Sequence, residues 1–527
     1  MPHDTQRSDA GVELLELRVL DGPNRFFDRP AVKLEFVAET AGGAAEVAAR
    51  AAVVVRELHA GLDLAAPRTT MRHSIDDCRA LIAFPWRRRS IAQAIAAAAA
   101  RIALGRSSER RELSGLRAMA LGPLAALPRP RVPIVAITGT NGKSTTTRLI
   151  AHVAAASGMR VGMTNSDGIE LGGEVVEAGD WTGFGGAARV LGEAGIDLAV
   201  LETARGGILL RGIGYAANDV SVVTNVSADH LGLQGIDTLD ELAEVKATVV
   251  RITRRGGWAV LNAEDARAWE MRRETKARWY AFSLDPEAPQ LREARDAGGR
   301  TASVEDGWLV LRAAGRRLTR LAAVDELPFT LRGLSRYNVA NALAAAAACD
   351  ALGIRRPRIA AGLRSFGLDS TTNPGRLNIF ERDGVLVLVD FAHNEAGLTG
   401  LMHVARGLAG RGRVRLGLGT AGDRTDEMLR GLGAVAGRDA DDIAIAEKRH
   451  YLRGRTAEEM NALFRAGVAE TGRRGKVPAF HDAVAALEAL VERSRRRDVV
   501  AVMTHSERVE VFAWLDERGF TPAVPSV

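Results

Sequence analysis

"IVAITGTNGKST", residues 134–145, predicts a strand, a phosphate-binding loop and a helix in direct succession. Ile134 to Ile137 are apolar and partly β-branched, as in a buried strand, and a helical pattern begins at Thr146. We predict that seven of the residues between them bind the phosphates of ATP; they are Gly139, Thr140, Asn141, Gly142, Lys143, Ser144 and Thr145.

Each residue type in this loop suits a different part of a nucleotide. Glycines let backbone N–H groups approach phosphate oxygens, Lys143 brings a positive charge to the β- and γ-phosphates, and the Ser144 hydroxyl suits Mg²⁺. Ile137 stands where the general G-x-x-x-x-G-K-[ST] pattern has its first glycine, so the loop is the shorter T-G-T-x-G-K-[ST] form. The alternative, a glycine-rich turn with an accidental lysine, does not account for the flanking strand and helix.

Composition limits the class of protein. A chain of 527 residues is too long for one hydrophobic core, and we expect about three domains. The net charge is +6, but the arginines are scattered or in short clusters without interleaved aromatic residues, so we expect no nucleic-acid partner. Attraction of ATP and of an acidic substrate, or a bias toward arginine, accounts for the charge.

The sequence also predicts a cytoplasmic protein without a membrane partner. Cys78 and Cys349, the two cysteines of the chain, are too few for a disulfide framework or a zinc site. Residues 1–20 lack the basic and apolar regions of a signal peptide. The alanine-rich run from Ile91 to Leu104 is shorter than a membrane span and is better interpreted as a buried helix.

Two further strand ends carry polar residues. "DLAVLETARGGIL" (197–209) is a buried strand that ends at Glu202, and "DVSVVTNVSADH" (219–230) is another, followed by His230. Ligand-binding residues of open α/β sheets lie at such ends. From about Leu239 a helical pattern carries Lys246. Taken singly, a histidine such as His230 after a strand is more often structural, and a lysine such as Lys246 is more often a solvated charge.

Together with the short loop, these motifs resemble the Mur ligase superfamily of ATP-dependent amide-bond ligases. The resemblance implies that Lys143, Glu202, His230 and Lys246 are catalytic. It further implies that Ser144 and Glu202 hold one Mg²⁺, while His230 and Lys246, carbamylated by CO₂, hold a second. A carbamate supplies the oxygen ligands that Mg²⁺ prefers.

The resemblance extends to four residues that would contact the nucleotide. Asn262, after the strand in "WAVLNAED", corresponds to the asparagine that contacts adenine, and Asn338, in "RYNVANA", keeps a family asparagine, although a helix-capping role is open. Arg376 in "NPGRLNIF" and Asp390 in "VLVLVDFAHNEAG" resemble the phosphate-reaching arginine and the D-Y-A-H-N-P signature of the C-terminal domain.

The implied fold is α/β. It consists of a small α+β N-terminal domain (1–125), a Mur ligase-like P-loop central domain with a mostly parallel sheet (126–372) and a Rossmann-like C-terminal domain (373–527). Residues 114–133, with three prolines near the end, are expected to be a linker.

Several phrases favour the cyanophycin synthetase branch of the superfamily, among them "ETARGGIL", "GLGTAGDRTDE" and, in the N-terminal unit, "LRVLDGPN". That branch implies joining arginine to an aspartate carboxylate of an acidic peptide or polymer. Its ATP-grasp module is not found between residues 1–125 and the Mur-like part, so a separate ATP-grasp ligase is an open partner, as is a homo-oligomer. Two alternatives stay open: a glutamate-adding or other Mur-type ligase, and a non-catalytic nucleotide-binding or regulatory protein.

Overall fold

The computed structural model describes residues 11–74, 76, 78–125, 127–128, 130–229, 231–313, 318–504 and 506–525, and its strands form three sheets. Apolar runs of four or five residues, such as Ile134 to Ile137 and Val499 to Met503, form buried central strands, because a sheet covered on both faces needs apolar side chains on both. The mixed α/β architecture confirms the predicted fold class. The domain boundaries near residues 125 and 372 stay a prediction.

The first sheet is antiparallel, with the strand order β1-β2-β4-β3. Its elements are β1 Val12–Leu20, β2 Ala31–Ala38, β3 Thr70–His73, β4 Arg79–Pro85, α1 Gly43–Gly61, α2 Arg89–Ala103 and α3 Glu109–Arg117. The alanines of α2 are buried against α1 and the sheet, as predicted for Ile91 to Leu104. Residues 114–117 belong to α3, so the prediction of a linker from residue 114 was wrong at its start; Leu116 is buried and holds this turn in the helix.

The second sheet has eleven strands in the order β15-β14-β13-β12-β11-β10-β5-β9-β6-β7-β8. Its strands are β5 Ile134–Thr138, β6 Val161–Thr164, β7 Gly168–Leu171, β8 Glu174–Ala178, β9 Leu198–Glu202, β10 Asn218–Val223, β11 Thr253–Asn262, β12 Arg278–Ser283, β13 Arg300–Glu305, β14 Trp308–Ala313 and β15 Thr319–Ala323. Strands β13 to β6 in this order are parallel, and an antiparallel pair closes each edge.

Helices cover both faces of the second sheet. They are α4 Lys143–Ala156, α5 Phe184–Leu191, α6 Arg205–Leu210, α7 Leu239–Arg251, α8 Ala266–Glu270, α9 Pro289–Asp296, α10 Arg336–Ala351 and α11 Arg356–Arg364. The alanine-rich α10 is buried along most of its length and packs against α4 and β11. Small side chains all round allow a helix to lie inside the protein in this way.

The third sheet has the order β20-β19-β18-β21-β17-β16-β22, parallel from β20 to β17. Its elements are β16 Asn378–Arg382, β17 Val385–Asp390, β18 Val414–Leu418, β19 Asp442–Ala446, β20 Ala479–Phe480, β21 Val499–Met503, β22 Thr521–Pro522, α12 Glu395–Ala409, α13 Asp426–Asp439, α14 Ala457–Glu470, α15 Ala483–Glu492 and α16 Arg508–Glu517. No helix in the described part of the chain is long and apolar enough to cross a membrane.

Candidate active site

A cleft of about 970 Å³ lies where the carboxyl ends of the second and third sheets face each other. Parallel strands leave their ligand-facing loops at this edge. The cleft is lined by every predicted site residue that the structure describes, namely Gly139, Thr140, Asn141, Gly142, Lys143, Ser144, Thr145, Glu202, Lys246, Asn262, Asn338, Arg376 and Asp390. The prediction for His230 falls outside the described residues.

Two glycines let the loop between β5 and α4 pack closely against its neighbours. A Cβ on Gly139 would lie 1.8 Å from the Thr224 hydroxyl oxygen, and one on Gly142 would lie 2.3 Å from the Asn341 Oδ1 atom. Both glycines have positive φ, +150° and +84°. Within the described residues, no side chain caps the N-terminus of α4. The first N–H groups of this helix therefore suit an anion.

The end of β10 holds the loop in place. Thr140 N donates to the Asn225 carbonyl at 2.9 Å, Asn141 N donates to Asn225 Oδ1 at 2.9 Å, and the Thr224 hydroxyl donates to the Asn141 carbonyl at 2.6 Å. The Lys143 ammonium donates to the Thr140 carbonyl at 2.8 Å. The charge of Lys143 therefore lies beside the loop whose N–H groups suit an anion.

Glu202 and Ser144 form a site that suits a divalent cation. Glu202 is the last residue of β9, and its buried Oε2 atom has no hydrogen-bond partner in the described structure. Burial raises the pKa of Glu202, against the lowering effect of the Lys143 charge. Among the described residues, which exclude His230, no three acidic, histidine or cysteine side chains converge on a metal position. A hydroxyl and one buried carboxylate oxygen with no partner fit Mg²⁺ with phosphate oxygens completing its shell.

Lys246 lies on α7 with its side chain buried, and its ammonium donates to the Gly139 carbonyl at 2.6 Å. Burial, together with the nearby charge of Lys143, holds the pKa of Lys246 well below its usual value. The charges of Asp229 and Asp265 act in the opposite direction. The amine is therefore next to the phosphate loop and is biased toward its neutral form.

The two asparagines predicted to contact the nucleotide line the cleft at the end of β11 and in the first turn of α10. Asn262 donates to the Thr224 carbonyl at 2.8 Å and accepts from Glu264 N at 2.9 Å. Asn338 donates to the Phe329 carbonyl at 2.9 Å and accepts from Asn341 at 3.2 Å. These bonds hold the Asn338 side chain within the fold, and the side-chain capping role left open for it is not observed; Ser335 occupies the N-cap position of α10.

Arg376 and Asp390 reach the cleft from the segment that leads into the third sheet and from β17. The Arg376 guanidinium donates to the Ser144 and Ser166 hydroxyls at 3.3 and 3.1 Å and lies over the Phe391 ring at 3.9 Å. Asp390 accepts from Leu377 N at 2.8 Å and from Ala392 N at 2.7 Å. Arg376 therefore already touches the serine expected to hold Mg²⁺.

Asn141 and Asn394 form a reciprocal amide pair across the cleft. Asn141 Nδ2 donates to Asn394 Oδ1 at 3.2 Å, and Asn394 Nδ2 donates to Asn141 Oδ1 at 3.0 Å. Asn394 also caps α12 by accepting from Gly397 N at 2.9 Å. The phosphate loop is thereby joined to a helix of the third sheet in a closed arrangement.

Sequence reasoning missed an ionic cluster beside the phosphate loop. Asp167, three residues past the end of β6, accepts from Arg148 of α4 and, at 2.7 Å, from Arg508 of α16. Burial opposes ionisation, but the charges of Arg148, Arg376 and Arg508 bring the pKa of Asp167 down to about 2. Its place after a buried strand is the same signal that pointed to Glu202.

A second missed group of residues also lines the cleft. Arg205 at the start of α6 is buried and donates to the Leu233 carbonyl at 2.9 Å and to Gln234 Oε1 at 3.2 Å. The buried guanidinium of Arg424 lies 3.4 Å from a carboxylate oxygen of Asp229. The cleft is therefore lined by arginines in addition to Arg376.

Family models match most of the two larger sheets. Residues 137–349 match the model described as the Mur ligase middle domain, and residues 375–505 match the model described as the Mur ligase glutamate ligase domain. Together the two matches take in the cleft from the phosphate loop to the strand end before α16.

Curated relatives include cyanophycin synthetases. The chain is 36% identical over 376 residues to that of Trichormus variabilis and 37% identical over 377 residues to that of Crocosphaera subtropica, with 71% of this chain covered in each case. These matches cover 41% and 43% of the relatives, so the chain spans about two fifths of their length. It is also 30% identical over 321 residues to the UDP-N-acetylmuramoyl-L-alanyl-D-glutamate–2,6-diaminopimelate ligase of Gloeobacter violaceus, covering 60% of this chain and 61% of that protein.

Solved structures share the fold. Escherichia coli FolC in complex with DHPP and ADP superposes with a TM-score of 0.54 at 20% identity, covering 74% of this chain and 90% of that chain. A pseudomurein peptide ligase type C from Methanothermus fervidus superposes with a TM-score of 0.52 at 19% identity, covering 74% of this chain and 79% of that chain.

Proposed function

Because the chain belongs to the Mur ligase family, we propose that it is an ATP-dependent ligase that joins a carboxylate to an amine through an acyl phosphate. The observation that carries this proposal is the single cleft in which the phosphate loop, the buried Glu202 and Arg376 lie together. A ligase of this type needs all three, because it must hold a polyphosphate, neutralise it and keep water from a hydrolysable intermediate.

The proposed reaction has two balanced steps. An oxygen of the acid's carboxylate attacks the γ-phosphorus of ATP, the bond to the β-phosphate oxygen breaks, and ADP leaves. The amine then attacks the acyl carbon, the C–O bond to phosphate breaks, and inorganic phosphate leaves with a proton lost from the nitrogen. The product is an amide.

The chain's own residues supply charge and alignment. The α4 N–H groups and the Lys143 ammonium would bind the β- and γ-phosphates, and Arg376, 3.3 Å from the Ser144 hydroxyl, would neutralise the transferring group. The Asn141–Asn394 pair would keep the cleft closed over the intermediate. Asn262 and Asn338 are proposed to lie at the adenine end.

Ser144 and Glu202 would hold a divalent cation, which we propose to be Mg²⁺. Their fit rests on the buried Glu202 oxygen that has no hydrogen-bond partner in the described structure. When bound there, the ion would draw charge from the γ-phosphoryl group.

Lys246 is proposed to be carbamylated and, with His230, to hold a second Mg²⁺. Carbamylation requires a neutral amine to attack the carbon of CO₂, and burial beside Lys143 favours that form by lowering the pKa of Lys246. The change from cation to anion would also remove the repulsion between Lys246 and Lys143.

For the substrates, we propose an acidic peptide or amino-acid carboxylate and an amino acid such as arginine. The similarity to proteins named cyanophycin synthetases supports assignment to that branch, and Arg205 and Arg424, which line the cleft, suit a carboxylate-rich acid. We propose an intracellular setting, since ATP is supplied there. A separate ATP-grasp ligase that supplies the acid is part of this proposal.

The test is ADP release by the purified protein with ATP and Mg²⁺, with aspartate- or glutamate-terminated peptides as acids and arginine, lysine or glutamate as amines. Mass spectrometry should find a product heavier by one amino-acid residue, absent with Lys143→Ala. ATP binding without ADP release for any acid and amine would refute the ligase and favour a non-catalytic nucleotide-binding protein.

A further inference from the structure

The segment of residues 21–29, which lies in the loop between β1 and β2, contacts three parts of the chain around the second sheet. They are the turn after α6, the loop before α7, and α7 itself. We call residues 21–29 the brace loop. The buried side chain of Asn24 holds its shape: Nδ2 donates to the Gly22 and Arg29 carbonyls, both at 2.9 Å, and Oδ1 accepts from Phe26 N and Phe27 N at 3.0 and 3.2 Å. These four hydrogen bonds hold the backbone of the loop in one conformation.

The first contact is with residues 211–213, which follow α6 and its Arg205. Asp21 N donates to the Arg211 carbonyl at 2.8 Å, and Ile213 N donates to the Pro23 carbonyl at 2.7 Å. A Cβ on Gly22 would lie 1.8 Å from the Ile213 carbonyl oxygen. The two backbones therefore meet without room for a side chain.

Arg25 makes the second and third contacts. Its side chain is 4% exposed and bonds to Glu241 at 3.1 Å and to Glu244 at 2.9 Å, both on α7, and to the Gly235 carbonyl at 3.4 Å. At the C-terminal end of the same helix, Arg251 donates to the Asn24 carbonyl at 2.7 Å. One arginine thus links the brace loop to α7 and to the loop that precedes it.

The brace loop and the cleft lie against different sides of α7. Glu241, Glu244 and Arg251 are three and seven residues apart and share one face of the helix. Lys246 is two residues past Glu244, about 200° around the axis, with its ammonium on the Gly139 carbonyl. Rotation or sliding of α7 relative to the brace loop would therefore displace Lys246 from the phosphate loop.

We propose that Arg25 is a positioning residue that sets the placement of α7, and with it Lys246, through Glu241 and Glu244. The expected effect on turnover rests on the proposed ligase function. The contact between Arg25 and α7 does not depend on it. The N-terminal unit would then contribute to the reaction without contacting substrate. It would hold α7, which forms one wall of the cleft, in a fixed position relative to the phosphate loop.

The test compares Arg25→Ala with the matched control Arg72→Ala. Arg72 also bonds to Glu244, at 3.1 Å, but its side chain is 50% exposed. Arg25→Ala is expected to lower kcat for ADP release about 10- to 100-fold, as for a misplaced reacting group, with Kd for an ATP analogue within about twofold. Arg72→Ala should change neither, as is usual for an exposed ion pair.

Hydrogen exchange gives a readout that does not depend on turnover. Amides of residues 231–251 should exchange faster in Arg25→Ala than in Arg72→Ala, while those of 143–156 stay unchanged. If the wild-type protein releases no ADP with any substrate pair, the ligase proposal fails and exchange alone decides the positioning role.

Two results would overturn the proposal: exchange and kcat equal in the two variants, or loss of ATP affinity by the same factor as kcat, which indicates general misfolding. If Arg25→Ala does not fold, Arg25→Lys replaces it. A single ammonium cannot serve both glutamates as the guanidinium fork does, so an intermediate kcat at unchanged Kd supports the role, and wild-type kcat contradicts it.

Discussion

Replacing Asp167 with asparagine is expected to lower the free energy of unfolding by roughly 2.5 kcal/mol at pH 7. Asp167 accepts hydrogen bonds from Arg148 of α4, which packs on the second sheet, and from Arg508 of α16, which packs on the third sheet. Asparagine keeps the shape and one acceptor oxygen but removes the charge that both arginines share.

The magnitude follows from the pKa of Asp167. Burial alone would raise it, but the charges of Arg148, Arg376 and Arg508 lower it from 3.8 to about 2. A difference of about two pKa units corresponds to roughly 2.5 kcal/mol of preference for the ionised form in the folded protein. The Asp167 side chain is 24% exposed, so solvent screens this preference only in part.

The pH dependence has a definite sign. Because the folded pKa is depressed, the stabilisation is fully present above the unfolded value of about 4 and is lost as the pH falls through about 2. Urea unfolding followed by circular dichroism should show the full difference between wild type and Asp167→Asn at pH 7 and about half of it at pH 3.

The matched control is Asp240→Asn. Asp240 also pairs with an arginine, at 2.7 Å, but its side chain is 82% exposed, so the change should cost less than about 0.5 kcal/mol. Equal effects of the two variants at pH 7, or an Asp167→Asn difference that does not shrink on acidification, would refute the reasoning.

Gly139→Ala is expected to weaken binding of a fluorescent ATP analogue about tenfold or more, because a Cβ there would lie 1.8 Å from the Thr224 hydroxyl oxygen; unchanged affinity would contradict the loop assignment. Glu202→Gln is expected to raise the Mg²⁺ concentration for half-maximal ADP release about tenfold, and an unaltered Mg²⁺ dependence would remove Glu202 from the metal site. A thiol reagent should label Cys78 but not Cys349 in the native protein, because Cys349 is buried and burial raises its pKa. Labelling of both cysteines would contradict the buried position of α10.

Two controls separate local from general effects in these variants. Gly206→Ala lies in the same cleft, where a Cβ would meet nothing within 4 Å, and should bind the analogue as the wild type does. Glu202→Gln should not lower the thermal midpoint, since burial raises the pKa of Glu202 and an uncharged amide of the same shape avoids the cost of burying a charge.

The strands and helices could be predicted because they depend on local patterns. The apolar run of β5, the glycines after it and the helical spacing of α7 are properties of adjacent residues, and the structure confirms these elements. The end of β9 also pointed to Glu202 as a cleft residue, because ligands of parallel sheets bind at that edge, whereas Lys246, on α7, was selected by the resemblance to Mur ligases. Their catalytic and metal roles stay predictions.

The resemblance to Mur ligases carried what the local patterns alone do not reach. It selected Asn262, Asn338, Arg376 and Asp390 from several sheets and segments, and the cleft contains all four. It did not select Asp167 or Arg205, although both follow strand ends in the way that Glu202 does. Their importance comes from arginines and loops that approach them from elsewhere in the chain.

By itself, the sequence determined the α/β class, the strand–loop–helix element around Gly139 and the family. Each of these depends on residue types at fixed short spacings. Only the tertiary structure decided that Asp167 meets Arg508, 341 residues later, and that Arg25 meets Glu244, 219 residues later. Such pairs depend on how separate sheets pack, and no short-range pattern encodes the packing because it follows from the shape and charge of whole surfaces.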